Sequence, residues 1–407
     1  MTRTVALAAA AMLFVPDEAA SQSVRDSAGI RILTYAASAR AKAVWRLDSK
    51  PMLQIGGADG TGPTEFGHIW DVARTPRGGV VVSDEPLQEL RVFDANGRFM
   101  NRIGRKGPGP GEFSQIKSVS VHGDTIYAVD TRRGTAAFLF DGTLVRHPAL
   151  PSTSPYHPIE VFGVFADGSV MMTGAGGETP EEMQRAGMRI ETRGLLRISG
   201  DGRSAKVLKV VPTYQHFRAE NERGGDVAAL APYFSGSVVG EWFCMGRPVR
   251  YEVQCLDTDG RVRQIIRRDL PVQPVPAAAR EAVIASRKKP GPASAGHAAP
   301  SAQELELLAM RTPFSESLPA YDWMLAGQDG ELWVSDFLLP QYTKAYWEPL
   351  PASAMRRYNV FARDGTWIAA IDIPARFLVK KAGRDYVLGV TRDEDNVEGV
   401  AMYRVIR

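Results

Sequence analysis

Residues 62–66 read GPTEF and residues 109–113 read GPGEF. Each follows an Ile-Gly pair, in Gln54-Ile55-Gly56 and Arg102-Ile103-Gly104, and Phe66 and Phe113 lie 47 residues apart. A repeat of roughly 20–50 residues marks solenoids and propellers. Between the marks the pattern is all-β. Gly79-Val80-Val81-Val82-Ser83-Asp84 is followed by Leu90–Asp94, the turn Ala95-Asn96-Gly97, and Phe99–Ile103. Asn-Gly and Asp-Gly between β-rich runs signal hairpins, because the turn needs positive φ.

The pattern recurs at Thr125–Asp130 with Ala137–Gly142, and at Gly330–Asp336 with Tyr358–Gly365. Six units of about four strands follow: 66–105, 113–150, 157–212, 232–272, 319–374 and 375–407. The last holds only three runs, Phe377–Lys380, Tyr386–Val390 and Val400–Ile406. Pro51–Gly56 aligns with the outer strand of the first unit, so it supplies the missing strand and closes the ring, which removes two free sheet edges. The expected fold is an all-β six-bladed β-propeller closed by an N-terminal strand in the last blade, with a partly helical insertion.

Two segments break the repeat. Residues 213–230 read as a long polar loop. In 274–318, Ala277–Lys289 has helical composition, and Ser301-Ala302-Gln303-Glu304 resembles a capping box ahead of Leu305–Arg311. Pro290–Pro300 between them reads as flexible. Such an insertion is a lid, a partner surface, or a loop without a role.

Thr4–Val15 is a short apolar run behind Arg3, broken by Pro16 and followed by Ala19, Ala20 and Ser21. It reads as a cleaved signal peptide over 1–21, too short to span a bilayer. An N-terminal segment 22–50 and the propeller 51–407 follow, and the product is exported, periplasmic or extracellular. The 49 basic and 46 acidic residues are interspersed, which excludes a nucleic-acid-binding face or an anionic-membrane patch. A monomer is expected. Cys244 and Cys255 are the sole cysteines. Pairing centred on Gly246-Arg247-Pro248 sets Cys244 opposite about Tyr251, which favours two buried thiols, although an oxidising compartment permits a bridge.

The GPxEF turns, the VVVSD and ELWVSD runs and the VFDANGRF hairpin resemble NHL-repeat propellers. Trp333–Asp336 and the tail DYVLGVTRDEDNVEGVAMYRV resemble a bacterial exported family of six-bladed β-propeller proteins. The resemblance covers about 51–407 and implies export and a six-bladed ring, with no common activity. Related propellers include metal-dependent lyases and lactonases as well as binding modules, and fold does not decide among them.

Asp84, Asp130 and Asp336 end second strands and read as turn acceptors. Glu112 and Glu65 read as acceptors for turn amides, with cation binding the alternative. A different column stands eight residues before Gly79, Thr125, Gly168 and Gly330: Asp71, Lys117, Glu160 and Asp322. Arg376 takes this place in the last unit, aligned on Arg384, and Tyr233 lies near it in the fourth. These positions start the innermost strands, so they form a ligand-binding channel mouth, unless they merely pair with one another and seal it. His68 and His157 stand three residues before Asp71 and Glu160, a set that suits a divalent metal such as Zn²⁺, although a catalytic metal needs about three protein ligands. No nucleophile elbow, P-loop or HExxH motif occurs. The expected function is non-catalytic binding of an unknown small molecule or partner protein at the channel mouth, and the alternative is a metal-assisted lyase or hydrolase.

Overall fold

The computed structural model describes residues 22–177, 181, 185–220, 225–291, 300–345 and 347–407. The signal peptide expected over 1–21 and most of the 290–300 linker lie outside them. Strands β1 (Gln22–Ser27), β2 (Ile30–Tyr35) and β3 (Ala43–Gly56) precede the repeats. Blade 1 holds β4 (Ile69–Arg74), β5 (Val80–Asp84), β6 (Glu89–Phe93) and β7 (Phe99–Ile103). Blade 2 holds β8 (Ile116–His122), β9 (Thr125–Asp130), β10 (Gly134–Leu139) and β11 (Leu144–Arg146). Blade 3 holds β12 (Tyr156–Val164), β13 (Val170–Gly176), β14 (Gly187–Ile198) and β15 (Ala205–Arg218), with β16 (Asp226–Val227) added outside. Blade 4 holds β17 (Ser235–Val239), β18 (Trp242–Gly246), β19 (Glu252–Leu256) and β20 (Val262–Arg268). Blade 5 holds β21 (Met324–Ala326), β22 (Leu332–Ser335), β23 (Met355–Phe361) and β24 (Trp367–Pro374), and blade 6 holds β25 (Phe377–Ala382), β26 (Tyr386–Arg392) and β27 (Glu398–Ile406). The inner strands contact one another cyclically, from β4 through β8, β12, β17, β21 and β25 back to β4. The fold is a six-bladed β-propeller.

The recurring motif has a packing cause. Val80–Asp84 is buried at every residue because each blade packs against neighbours on both faces. Phe113 is fully buried and joins a core cluster of blades 1 and 2, beside Val81, Leu90, Ile116 and Phe138. Its ring lies on Gly104, where φ is +74° and a Cβ would come within 2.3 Å of the ring. Only glycine fits there, which explains the coupling of Ile-Gly to GPxEF. Phe66 covers Gly56 in the same way.

The ring closes through β3. Gly56 to Arg46 pair antiparallel with β27, from Gly399 to Ile406. The strand is longer than the sequence indicated: it begins at Ala43, and Ala43–Trp45 also pair in parallel with Ala369–Ile371 of β24. Ahead of it, β2 adds in parallel to β20 and β1 adds to β2, so blade 4 has six strands. The segment 22–56 thus straps the outer edges of blades 4, 5 and 6.

Two expectations are corrected. Residues 213–218 are strand, not loop: β14 and β15 form a long hairpin in which Gly187–Ile190 pair with Gln215–Arg218. Cys244 and Cys255 are bonded and stand directly opposite each other. The connection between β18 and β19 spans 247–251, longer than the turn assumed, because Tyr251 is buried against Tyr321, with ring centroids 5.2 Å apart.

The insertion carries α1 (Ala277–Arg287) and α2 (Ala302–Met310). Ser301 caps α2: its Oγ accepts from Glu304 N at 3.2 Å, and Ser301 N donates to Glu304 Oε2 at 2.7 Å. Helix α1 buries Ala279 and Val283 against Leu230 and Val275, close to Phe337 and Tyr342.

Candidate functional site

All six inner strands line one central channel of about 510 Å³. Asp71 stitches three blades there. Its Oδ2 accepts from Ser118 Oγ at 3.1 Å, Val119 N at 3.0 Å and Lys381 Nζ at 3.1 Å, and Oδ1 accepts from Val72 N at 2.9 Å. Lys117 lies over the Trp70 ring at 3.5 Å and reaches Glu85 at 3.4 Å.

The other predicted residues stand in recesses around the channel. Lys117 and Glu160 line one of about 600 Å³. Tyr233 and Arg376 line another of about 650 Å³, which shares Lys380 with the channel. Tyr233 and Asp322 line a third, mostly apolar, of about 510 Å³ beneath α1. Burial raises the Glu160 carboxyl above its usual range, with Arg193 opposing. Burial also raises the Tyr233 phenol, and the Asp322 and Glu160 carboxylates add to the shift. Asp322 is buried and held by Arg356 at 2.7 Å and by the Tyr342 hydroxyl. Burial raises its carboxyl too, against the pull of Arg356. No single cavity takes all six residues.

Arg376 does not hold the place in blade 6 that the column assigned to it. It binds Leu350 O at 2.6 Å and lies 3.7 Å from Glu394. Asp71 pairs with Ser83 in blade 1, and Lys381 pairs with Leu388 in blade 6. The β25–β26 turn is shorter than the β4–β5 turn, so a fixed offset from the second strand overshoots the inner one. The charged blade 6 residues on the channel are Lys380 and Lys381. Lys380, Trp70 and Lys117 each sit where the register slips between first and second strands, and such bulges re-aim side chains. Arg74, Ser120 and His122 also line the channel. They were legible only as the far ends of inner strands, with no motif to mark them.

The histidines do not form a metal centre. His68 Nδ1 lies 3.1 Å from Glu398 Oε1, and its Nε2 lies 3.7 Å from Glu85. His157 is exposed on β12 opposite Ala175. Among the described residues, no three His, Cys, Asp or Glu side chains are grouped to hold a metal. Glu398 is saturated by other work: Oε2 accepts from Ile69 N at 2.6 Å, and Oε1 also accepts from Arg392 at 2.7 Å. It therefore pins blade 6 to blade 1. Burial raises its carboxyl, but the hydrogen bonds from His68 and Ile69 outweigh that and leave it below the ordinary range. A depressed carboxyl stabilises above the unfolded pKa and loses that contribution as pH falls through the folded one. Glu398→Gln is therefore expected to lower stability at pH 7 by about 1–3 kcal/mol, with the gap closing in acid. Denaturant melts at pH 7 and pH 4 measure it, and a pH-independent gap would refute the charge account.

Asp84, Asp130 and Glu112 accept from turn amides, as their positions suggested, while Asp336 is held by a side chain of the neighbouring strand β23. Asp130 accepts from the amides of Ser114, Gln115, Arg132 and Arg133. Asp84 accepts from Gly67 and Leu87, and Asp336 from Asn359 Nδ2. Glu112 accepts from Gly109 N at 2.7 Å and pairs with Arg105.

Residues 64–145 match a family model described as 6-bladed beta-propeller. Among solved structures, the chain is similar to a protein from Bacteroides fragilis described as exported, at 12% identity over 92% of this chain and 99% of that one, with a TM-score of 0.47. A DUF4221-family member from Bacteroides vulgatus matches at 10% identity over 89% and 99%, with a TM-score of 0.51. Regucalcin from Agrobacterium tumefaciens matches at 9% identity over 89% and 96%, with a TM-score of 0.39. No curated protein matches. The resemblance to bacterial six-bladed propellers is borne out, and at these identities it is a likeness of fold. Among the described residues, no helix is long and apolar enough to cross a membrane.

Proposed function

We propose that this is an exported, non-catalytic binding protein that holds a small polar ligand in the central channel and its mouth. The observation that carries this reading is a set of unsatisfied polar atoms on the channel wall. Arg74 Nε, Ser120 Oγ and His122 Nε2 are buried without a protein partner, and all three residues line the same cavity. Buried polar atoms are nearly always bonded, so a convergent group of them in a concave site supports a polar guest. The recesses holding Glu160, Tyr233 and Arg376 give that guest a polar approach. The N-terminal signal reading and the Cys244–Cys255 bridge both support export. The metal-assisted reading has little support in the donor set, because Glu398 is already saturated and His68 is engaged with it.

A thermal-shift panel of neutral sugars, amines, carboxylates and phosphates tests the proposal. A ligand at about 100 times its Kd stabilises by about 2.7 kcal/mol, which for a chain of this size is about 3 °C in Tm. At least one class is expected to give such a shift, and Ser120→Leu, which fills the channel, is expected to abolish it. Shifts that survive in Ser120→Leu, or a panel without any, would sink the reading.

A further inference from the structure

The channel wall carries four cationic side chains, Arg74, Lys117, Lys380 and Lys381, against one carboxylate, Asp71. Two of the cations are neutralised. Lys381 pairs with Asp71 at 3.1 Å, and Lys117 pairs with Glu85 at 3.4 Å. The other two are not. Arg74 lies over the Tyr386 ring at 4.4 Å, with its Nε unbonded. Asp71 is already engaged, with three donors converging on its Oδ2 and Val72 N on its Oδ1. Among the described residues no carboxylate pairs with Arg74 or Lys380.

From this imbalance we infer that the channel is an anion site, taking a small carboxylate or phosphate between Lys380 and Arg74, with Ser120 and His122 as hydrogen-bonding neighbours. The inference rests on the channel-binding reading and names the chemical class of its ligand. Lys380 is suited to the task by its placement at a bulge of β25, which turns it into the cavity. Its ammonium is also held in an unfavourable setting. Burial lowers its pKa and the neighbouring Lys381 and Arg392 charges lower it further, while Asp71 and Glu398 act the other way. An incoming anion supplies the countercharge that the protein does not. A guanidinium and an ammonium across one cavity hold an oxyanion by charge-assisted hydrogen bonds, the stronger class of such contacts.

Calorimetric titration of the full-length mature protein with inorganic phosphate and with succinate, at ionic strength fixed with NaCl, tests the inference. At least one of the two is expected to bind, and which one separates phosphate from carboxylate ligands. Lys380→Met and Arg74→Met are each expected to weaken that binding about 10- to 100-fold. Without ligand, Lys380→Met is expected to keep the Tm of the parent or raise it, because it removes an uncompensated desolvated charge. A marked fall in that Tm would mean that the lysine is structural and would overturn the proposal. Anion binding unchanged in both variants would place the anion on the outer surface and overturn it as well. If a neutral sugar or an amine binds instead and Ser120→Leu abolishes that binding, the anion class fails while the channel reading stands. If Ser120→Leu abolishes no binding at all, both fail.

Discussion

A chain beginning at residue 57 is expected not to fold to a stable ring. Such a chain lacks β3, which buries Trp45, Leu53 and Ile55 to between 3% and 6% exposure. Removing one large core side chain costs about 2–5 kcal/mol, and whole domains are stable by only about 5–15 kcal/mol. Losing three such residues therefore costs an amount comparable to the entire margin, before the hydrogen bonds of the β3–β27 ladder are counted. The deletion also removes β1 and β2 and bares β20, β24 and β27 as open edges, which invites association between chains. The expected product is aggregated, or soluble without a cooperative thermal transition, and an added peptide of residues 43–56 is expected to restore part of that transition. Scanning calorimetry of the deleted chain with and without the peptide checks this. A sharp transition in the deleted chain alone would show that the ring does not depend on its closing strand.

Replacing Arg91 by methionine is expected to cost about 3–5 kcal/mol, the range for removing one member of a buried ion pair. Arg91 is 2% exposed. It reaches Asp84 at 3.1 Å and Glu89 at 2.9 Å, and it donates to the carbonyls of Pro63 and Glu65 at 2.9 and 2.5 Å. It thereby fixes the first GPxEF turn to its blade, and its departure leaves Asp84 buried without a countercharge. Burial already holds the Asp84 carboxyl above its ordinary range, and Arg91 is the main influence pulling it down. In the variant that carboxyl rises further. An acid with a raised folded pKa favours folding at low pH and loses that contribution as pH climbs through the folded value. The deficit of Arg91→Met is therefore greatest at pH 8 and shrinks on acidification, and Asp84→Asn in the same chain is expected to recover part of it at pH 8. Urea melts of the parent and both variants at pH 8 and pH 5 test the sign, and a deficit that grows in acid would contradict it.

The blade count and the closing strand were legible in the sequence because they rest on local chemistry. Positive φ at Gly97, Gly142 and Gly365 leaves Asn-Gly and Asp-Gly turns in the sequence, and the Phe113 ring on Gly104 leaves the coupled motif. The strap formed by β1 and β2 left no such trace, since six residues of alternating pattern do not say which edge they join. The bridge between Cys244 and Cys255 was misjudged because turn length was taken from proline and glycine alone, while the burial of Tyr251 lengthens the connection. At the site, Asp71, Glu160 and Asp322 came from blades whose first hairpin has a connection of one length, whereas the β8–β9 connection is shorter and sets Lys117 one place ahead of Ser118, the counterpart of Asp71. Arg376 failed where that length changes. Lys380 and Lys381, hidden by the same change, carry the charge that distinguishes the channel.

The pairing of Arg46 with Ile406 sets an order of events in folding. Strand β3 and its principal partner, β27, lie far apart along the chain. Blades 1 to 3 are built from local hairpins with short loops to close, whereas the seal must join segments some hundreds of residues apart, and contacts of such separation slow folding. The closing strand therefore waits, with its apolar face uncovered, through the whole assembly of the ring. Chaperone capture and premature aggregation are expected to compete for that one segment, and the last rate constant in refolding is expected to report its arrival.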